Sequence, residues 1–152
     1  MSIHKKVYSA IQQQLREQQE ELEVIAQDLK KSLDEEGKSS AGDKHNTSRA
    51  MIHLEQEKIA NQFQLIKNQI QQLNQMKEVS TKNASIGFGN LVKTTNYYFL
   101  LGISLGKINV EEIQVFCISM DSPVGRQFLG KKVSEKILFM QKEEEILQVL
   151  PE

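Results

Sequence analysis

Two rows of residues spaced seven apart run through the first part of the chain: Tyr8, Leu15, Leu22, Leu29 and Ile11, Gln18, Ile25, Ser32. Their alternating steps of three and four put both rows on one narrow seam of an α-helix, the pattern of a coiled coil. A second segment repeats it, with Ile52, Ile59, Ile66, Leu73 in one row and Gln56, Phe63, Ile70, Lys77 in the other. No Pro precedes Pro123, and Gly37 and Gly42 are the only glycines before Gly87, so the break between the two helices must fall near those glycines. Residues 34–46 are polar and contain both. A short polar connection between two single-seam helices predicts an antiparallel hairpin over 1–80 with its tip at 34–46. Some ~30 helical residues give an arm on the order of 45 Å long. The same heptads also fit an intermolecular coiled coil. Gln18, Ser32, Gln56 and Lys77 interrupt the seam, where polar residues lower stability but help to set register.

Composition changes sharply after the second helix. Residues 1–80 hold 13 of the 17 Gln, whereas six of the eight Gly and seven of the nine Phe and Tyr lie beyond them. Gly87-Phe88-Gly89-Asn90 is a breaker cluster that opens a new unit over 84–152. Runs rich in β-branched and aromatic residues predict four or five strands, at 91–95, 97–104, 113–118, 134–140 and 146–150. One short helix is predicted between them: Ser122 as N-cap, Pro123 in the first helical position, and Gly130 as the left-handed stop. Val124 and Phe128, four apart, would face the sheet. The fold class is α+β, a coiled-coil hairpin followed by a small β domain with one helix.

Several function classes are excluded or disfavoured. Residues 1–80 carry 11 basic and 12 acidic side chains and the rest carry eight of each, so neither part has the basic excess of an autonomous DNA or RNA binder. The longest apolar stretches, such as 97–101, fall far short of the ~20 residues that span a bilayer. The N-terminus runs into a Gln-rich polar helix without an apolar signal core. A single Cys permits no internal disulfide, which makes a reducing cytoplasm the expected compartment. Cys117, inside the apolar run Val115-Phe116-Cys117-Ile118, is expected to be a buried strand residue and not a nucleophile.

A helical hairpin with Gly42-Asp43 in its tip, a Gly-led transition, and then Ser122-Pro123-Val124-Gly125-Arg126-Gln127-Phe128-Leu129-Gly130-Lys131 resembles the bacterial Gre-type transcription elongation factors, most closely their divergent Gre-like members. The resemblance implies an FKBP-like fold for 84–152, docked on core RNA polymerase beside its secondary channel. Ser122, Pro123, Arg126, Lys131 and Lys132 would then contact the polymerase. The coiled coil would enter the channel, and transcript RNA would be met only inside the polymerase. In cleavage-competent members the tip motif Gly-Asp-x-x-Glu-Asn offers two carboxylates that help hold a second Mg²⁺ and a water while the polymerase hydrolyses backtracked RNA. The factor is then an accessory and not itself an enzyme, with no cofactor beyond Mg²⁺ shared with the polymerase, and a monomer is expected.

Only part of that tip is present. Gly42-Asp43 matches, but the second carboxylate's position is Asn46, a neutral and weaker ligand for Mg²⁺. Asp34, Glu35 and Glu36 lie across the loop as alternative carboxylates. Asp43 also suits a helix N-terminus, where its charge opposes the macrodipole's positive end. His45 beside Asp43, and His53 with Glu57, each fall short of the three or four ligands of a stable zinc site. Lys44 and Arg49 could meet RNA phosphate or the acidic polymerase centre. Two other classes fit the elements: a peptidyl-prolyl isomerase with a helical chaperone arm, which would need an aromatic-lined pocket, and a coiled-coil oligomerisation or scaffold protein.

Overall fold

A computed structural model describes residues 2–37, 43–80 and 85–151, and the side chains of all of these except 36, 37 and 43–46. Two long helices, α1 (Ile3–Gly37) and α2 (Asp43–Ser80), pack together as a helical hairpin. Six strands follow: β1 (Leu91–Thr94), β2 (Tyr98–Leu101), β3 (Gly106–Val110), β4 (Ile113–Ile118), β5 (Lys136–Phe139) and β6 (Lys142–Leu150), with the short helix α3 (Pro123–Phe128) between β4 and β5. The chain divides into two compact units, Gln13–Gln69 and, apart from it, Met1–Gln12 with Ile70–Glu152. The first turns of α1 and the last turns of α2 therefore belong with the sheet, where the sequence suggests a division after residue 80.

In the unit Gln13–Gln69, Leu15, Leu22, Ile59 and Ile66 are buried, as their heptad row predicts. The second row of α1 is displaced. Gln18, Ile25 and Ser32 are exposed, and Gln19, Ala26 and Leu33 are half-buried in their place. An α-helix turns once in 3.6 residues, so the residues four after Leu15, Leu22 and Leu29 lie about 40° from that row and those three after lie about 60° from it, and the inward stripe takes the nearer set. At the end of α2, Met76 is buried against Gly89 and Gly102 and Lys77 is exposed. Three of the four polar seam positions, Gln18, Ser32 and Lys77, are thus solvated surface, and Gln56 is half-buried. Asp34 and Glu35 are part of α1 and not of a loop, because Glu sustains helix well.

In the other unit the sheet has the order β3-β4-β2-β1-β6-β5, with β2 and β4 parallel and the remaining neighbours antiparallel. Register places Val149, Val92, Phe99 and Phe116 in one row across it and Leu91, Leu100 and Cys117 in another. Phe128 of α3 is fully buried against the first row, with its ring 5.1 Å from that of Phe99, while Val124 is half-buried beside it. Cys117 is buried in the second row, as expected of a strand residue, and burial pushes the pKa of its thiol up to about 12. Native Cys117 should resist thiol reagents at pH 8 and react fully once the chain is unfolded in urea.

Six strands exceed the expected four or five. The addition is β3, whose Gly106, Lys107 and Asn109 carry little strand signal. Its connection to β4 is Glu111-Glu112, with Glu111 in the left-handed region at φ 56°. The β5–β6 connection likewise places Met140 and Gln141 at φ 51° and 68°. Tight hairpin turns favour Asn or Gly at such positions, so neither turn announces itself in the sequence. β6 also begins at Lys142, four residues before the expected start, and β2 ends at Leu101 because Gly102 at φ 145° breaks it.

The last turns of α2 are seated on two glycines. A Cβ on Gly89 would collide with the carbonyl oxygen of Met76, and one on Gly102 with the Met76 side chain. Gly89's carbonyl accepts a 2.6 Å hydrogen bond from the Tyr8 hydroxyl, and Gly102's accepts one from the Gln72 side chain at 3.1 Å. Buried Asn90 joins the surrounding segments: its side chain donates to Ser80 O and Leu150 O and accepts from Gly87 N–H. At the opposite end of β1, the Glu144 carboxylate accepts from Thr94 Oγ1 at 2.8 Å, Asn96 N–H at 2.9 Å and Asn96 Nδ2 at 2.7 Å.

Burial alone would raise the pKa of Glu144, but the Asn96 and Thr94 hydrogen bonds outweigh it and hold the carboxyl below its usual range. A carboxylate with a depressed native pKa contributes stability above its unfolded pKa and loses it as pH falls through the native one. Glu144→Ala should therefore cost about 1.5–3 kcal/mol at pH 7, read as a lower urea midpoint. The difference between wild type and variant should shrink as pH drops below about 4.

Candidate functional site

The sequence singles out the segment from Ser122 to Lys132, and its local construction separates structural from free side chains. Ser122 is extended at φ −66°, ψ 156°, and its Oγ accepts the Gly125 N–H at 3.0 Å while donating to Ser119 O at 2.8 Å. This closes the first turn of α3 onto the preceding loop. Pro123 follows in the first helical position, where no donor is lost. Gly125 is required by close approach, since a Cβ there would run into Ser119 O. Gly130 reverses the chain at φ 77°.

Two further residues anchor α3. Phe128 fills the aromatic core, and the Gln127 side chain bonds the backbone of Leu138 in both directions, donating to its C=O at 2.8 Å and accepting its N–H at 2.7 Å. In this way Gln127 acts as a one-residue strand along β5, which lies at the edge of the sheet. Sequence reasoning did not assign this role to Gln127, and no local pattern marks it.

Ser122 is thus a half-buried cap, not a free contact residue. Pro123, Arg126 and Lys132 are exposed, and Lys131 is half-buried. The same stretch exposes Leu129, Val133, Leu138 and Met140, each at least half accessible, which sequence reading did not single out. From Asp121 to Lys142 there are five basic side chains and two acidic ones. Lys131, Lys132 and Val133 also line a cleft of about 380 Å³ together with Ser85, Asn90 and Pro151. The arrangement is a basic and apolar surface on a rigidly capped helix. Its charge suits contact with an acidic surface.

The tip residues are placed only in part. Asp43 is the first residue of α2 and Asn46 follows in its first turn, but their side chains lie outside the described residues, as do those of Glu36, Lys44 and His45. Asp34, Glu35, His53 and Glu57 are exposed, and Arg49 is half-buried. Among the described residues no three His, Cys, Asp or Glu side chains converge on a metal position. Among them, too, no helix is long and apolar enough to cross a membrane.

A second cleft, of about 620 Å³, is lined by Asn96, Tyr97, Phe139, Met140, Lys142 and Glu144. Behind it Tyr97, Phe99, Phe116 and Phe139 form a cluster of mostly edge-to-face rings with centroids 5.0–6.2 Å apart. An aromatic-lined recess is therefore present, although the sequence offers no Trp and places its aromatics in strands.

No family model, curated protein or solved structure matches the chain.

Gly125→Ala forces the α3 cap away from Ser119 O and should lower stability by about 1–3 kcal/mol, seen as a reduced urea midpoint. Arg126→Ala, on the exposed side of the same helix, should leave that midpoint within about 0.5 kcal/mol.

Proposed function

We propose that this chain is a Gre-like elongation factor that binds core RNA polymerase at the secondary channel, with an FKBP-like β unit as its dock and the helical hairpin as the element that enters the channel. The observation that carries the reading is the Ser122–Lys131 segment. Its Ser122, Gly125, Gln127, Phe128 and Gly130 are each accounted for by the capped helix and its anchoring, which leaves Pro123, Arg126 and Lys132 outward on a basic, partly apolar surface. Side chains not needed for packing are the ones available for a partner. A helical hairpin followed by a sheet is the element order this reading requires, and the near-neutral charge argues against an RNA contact made outside the polymerase.

At the tip, Asp43 would add one carboxylate to a Mg²⁺ held with the polymerase; such an ion lowers the pKa of its bound water for phosphodiester hydrolysis. Asn46 supplies no second negative charge. The factor therefore occupies the channel and stimulates cleavage weakly. Binding is tested with wild type and an Arg126→Glu/Lys132→Glu variant against core polymerase, where the variant should lose about tenfold or more in affinity while keeping its fold. In a backtracked-complex cleavage assay, Asn46→Glu should raise activity above wild type and Asp43→Ala should remove what remains. A wild type with no polymerase affinity overturns the reading.

The aromatic recess at Tyr97 and Phe139 favours one second reading, a peptidyl-prolyl isomerase-like unit acting on extended peptides. Isomerisation of a proline peptide that is abolished by Tyr97→Ala, without polymerase binding, would select it.

A further inference from the structure

A cleft of about 380 Å³ in the sheet-bearing unit serves neither the fold nor the function proposed above. It lies where the first turns of α1, the end of α2 and Pro151 meet. Its polar lining is Ser2, His4, Lys5 and Ser9 from the start of the chain and Lys77 from α2, with no Asp or Glu among the lining residues. Neighbouring Lys6 is paired with Glu111 at 3.3 Å, whereas neither Lys5 nor Lys77 has an ion pair among the described residues. Two unpaired ammonium groups on one cleft without a carboxylate create a positive potential that a bound anion would offset.

The rest of the lining narrows the class of anion. Tyr8 is buried and its hydroxyl is spent on the Gly89 carbonyl, so it offers the cleft its ring. Pro151 and the lysine stems add apolar wall. The Lys77 Nζ lies 6.0 Å from the Tyr8 ring centroid and the His4 ring 4.7 Å from it, so charge and aromatic surface adjoin. Ser2 Oγ accepts the Lys5 N–H at 3.3 Å and keeps its own O–H to donate. With three N–H donors on each ammonium and one O–H on each serine, the cleft holds more donors than one carboxylate can accept. A phosphate monoester, with three acceptor oxygens and nearly two negative charges, matches that set. The volume is that of a small-ligand pocket, a class that begins at about 300 Å³.

We propose that this cleft binds a phosphate monoester carried on a flat apolar group, with the phosphate held by Lys5 and Lys77 and the apolar group laid against the Tyr8 ring and Pro151. His4 reports the binding. One of its ring nitrogens faces the Gly89 carbonyl at 3.4 Å, and burial lowers its pKa and favours the neutral ring. The other nitrogen becomes a donor only when the ring is protonated, so an anion beside it raises the His4 pKa. The inference stands on this cleft alone and does not depend on the polymerase reading.

The test is an NMR titration of the full chain at low salt with phenyl phosphate, inorganic phosphate, benzoate and benzyl alcohol. It is read on the His4 ring protons and repeated with Lys5→Gln/Lys77→Gln. Phenyl phosphate should shift the His4 signals saturably and raise the His4 pKa, leaving His45 and His53, the other two histidines, unmoved. It should bind about tenfold or more tightly than each of the other three probes, and the double variant should lose about tenfold or more of that affinity. Both substituted lysines are exposed, so the amide spectrum away from the cleft should stay unchanged and show the fold intact. No saturable shift at His4 overturns the proposal, as does binding that survives loss of both lysines. Benzoate or benzyl alcohol binding as tightly as phenyl phosphate overturns the phosphate, and inorganic phosphate binding as tightly overturns the apolar wall.

Discussion

The seating of the last turns of α2 on Gly89 and Gly102 is the contact on which the sheet-bearing unit depends. Backbone comes so close to helix at both points that any side chain would displace Met76. With the helix drawn in, the Tyr8 hydroxyl and the Gln72 amide reach the carbonyls of the same two glycines, and Asn90 satisfies three backbone groups from three segments. Burial keeps the Tyr8 hydroxyl protonated well above its ordinary pKa, which suits a group whose role is to donate. His4 shares the Gly89 carbonyl, and its burial lowers its pKa and so favours the neutral ring. These groups act together because each would be an unsatisfied buried polar atom without the others.

From that base the sheet grows outward to β5, and a different economy operates at the edge. Gln127 satisfies the backbone of Leu138 that an adjoining strand would otherwise seek, while Phe128 from the same short helix completes the aromatic core. One helix of six residues thus closes the core with Phe128 and protects an edge with the residue before it, Gln127. Its outward residues remain free of structural duty. This division of labour within α3 presents a basic and apolar surface in a fixed orientation.

The hairpin shows how a repeat can be right in period and wrong in detail. The first row of each helix is buried or half-buried as its heptads indicate, but the second row of α1 moves from Gln18, Ile25 and Ser32 to Gln19, Ala26 and Leu33. A residue four after a buried one lies about 40° from it around the helix and a residue three after lies about 60° from it, so the inward stripe of α1 takes the steps of four. Ile25 is the informative casualty, an apolar residue that the repeat assigns to the seam and the helix turns toward solvent.

Much of the architecture was legible in the residues themselves. The long runs without Gly or Pro set the two helices, the change from Gln to Gly and aromatic residues set the onset of the sheet, and Ser122, Pro123 and Gly130 set both ends of α3, because these signals act within a few residues of chain. The turns at Glu111 and at Met140-Gln141 were not legible: their left-handed backbone is imposed by strand pairing on residues with no intrinsic preference for it. The same holds for the candidate site. Local chemistry marked Ser122 as a cap, but only the folded chain showed Gln127 to be an edge guard and left Leu129, Val133 and Leu138 exposed. Sequence determined which segments could be helix or strand, since that rests on periodicity and caps; tertiary structure decided which side chains of those segments are used up in holding the fold, since that rests on which distant backbone groups come to lie beside them.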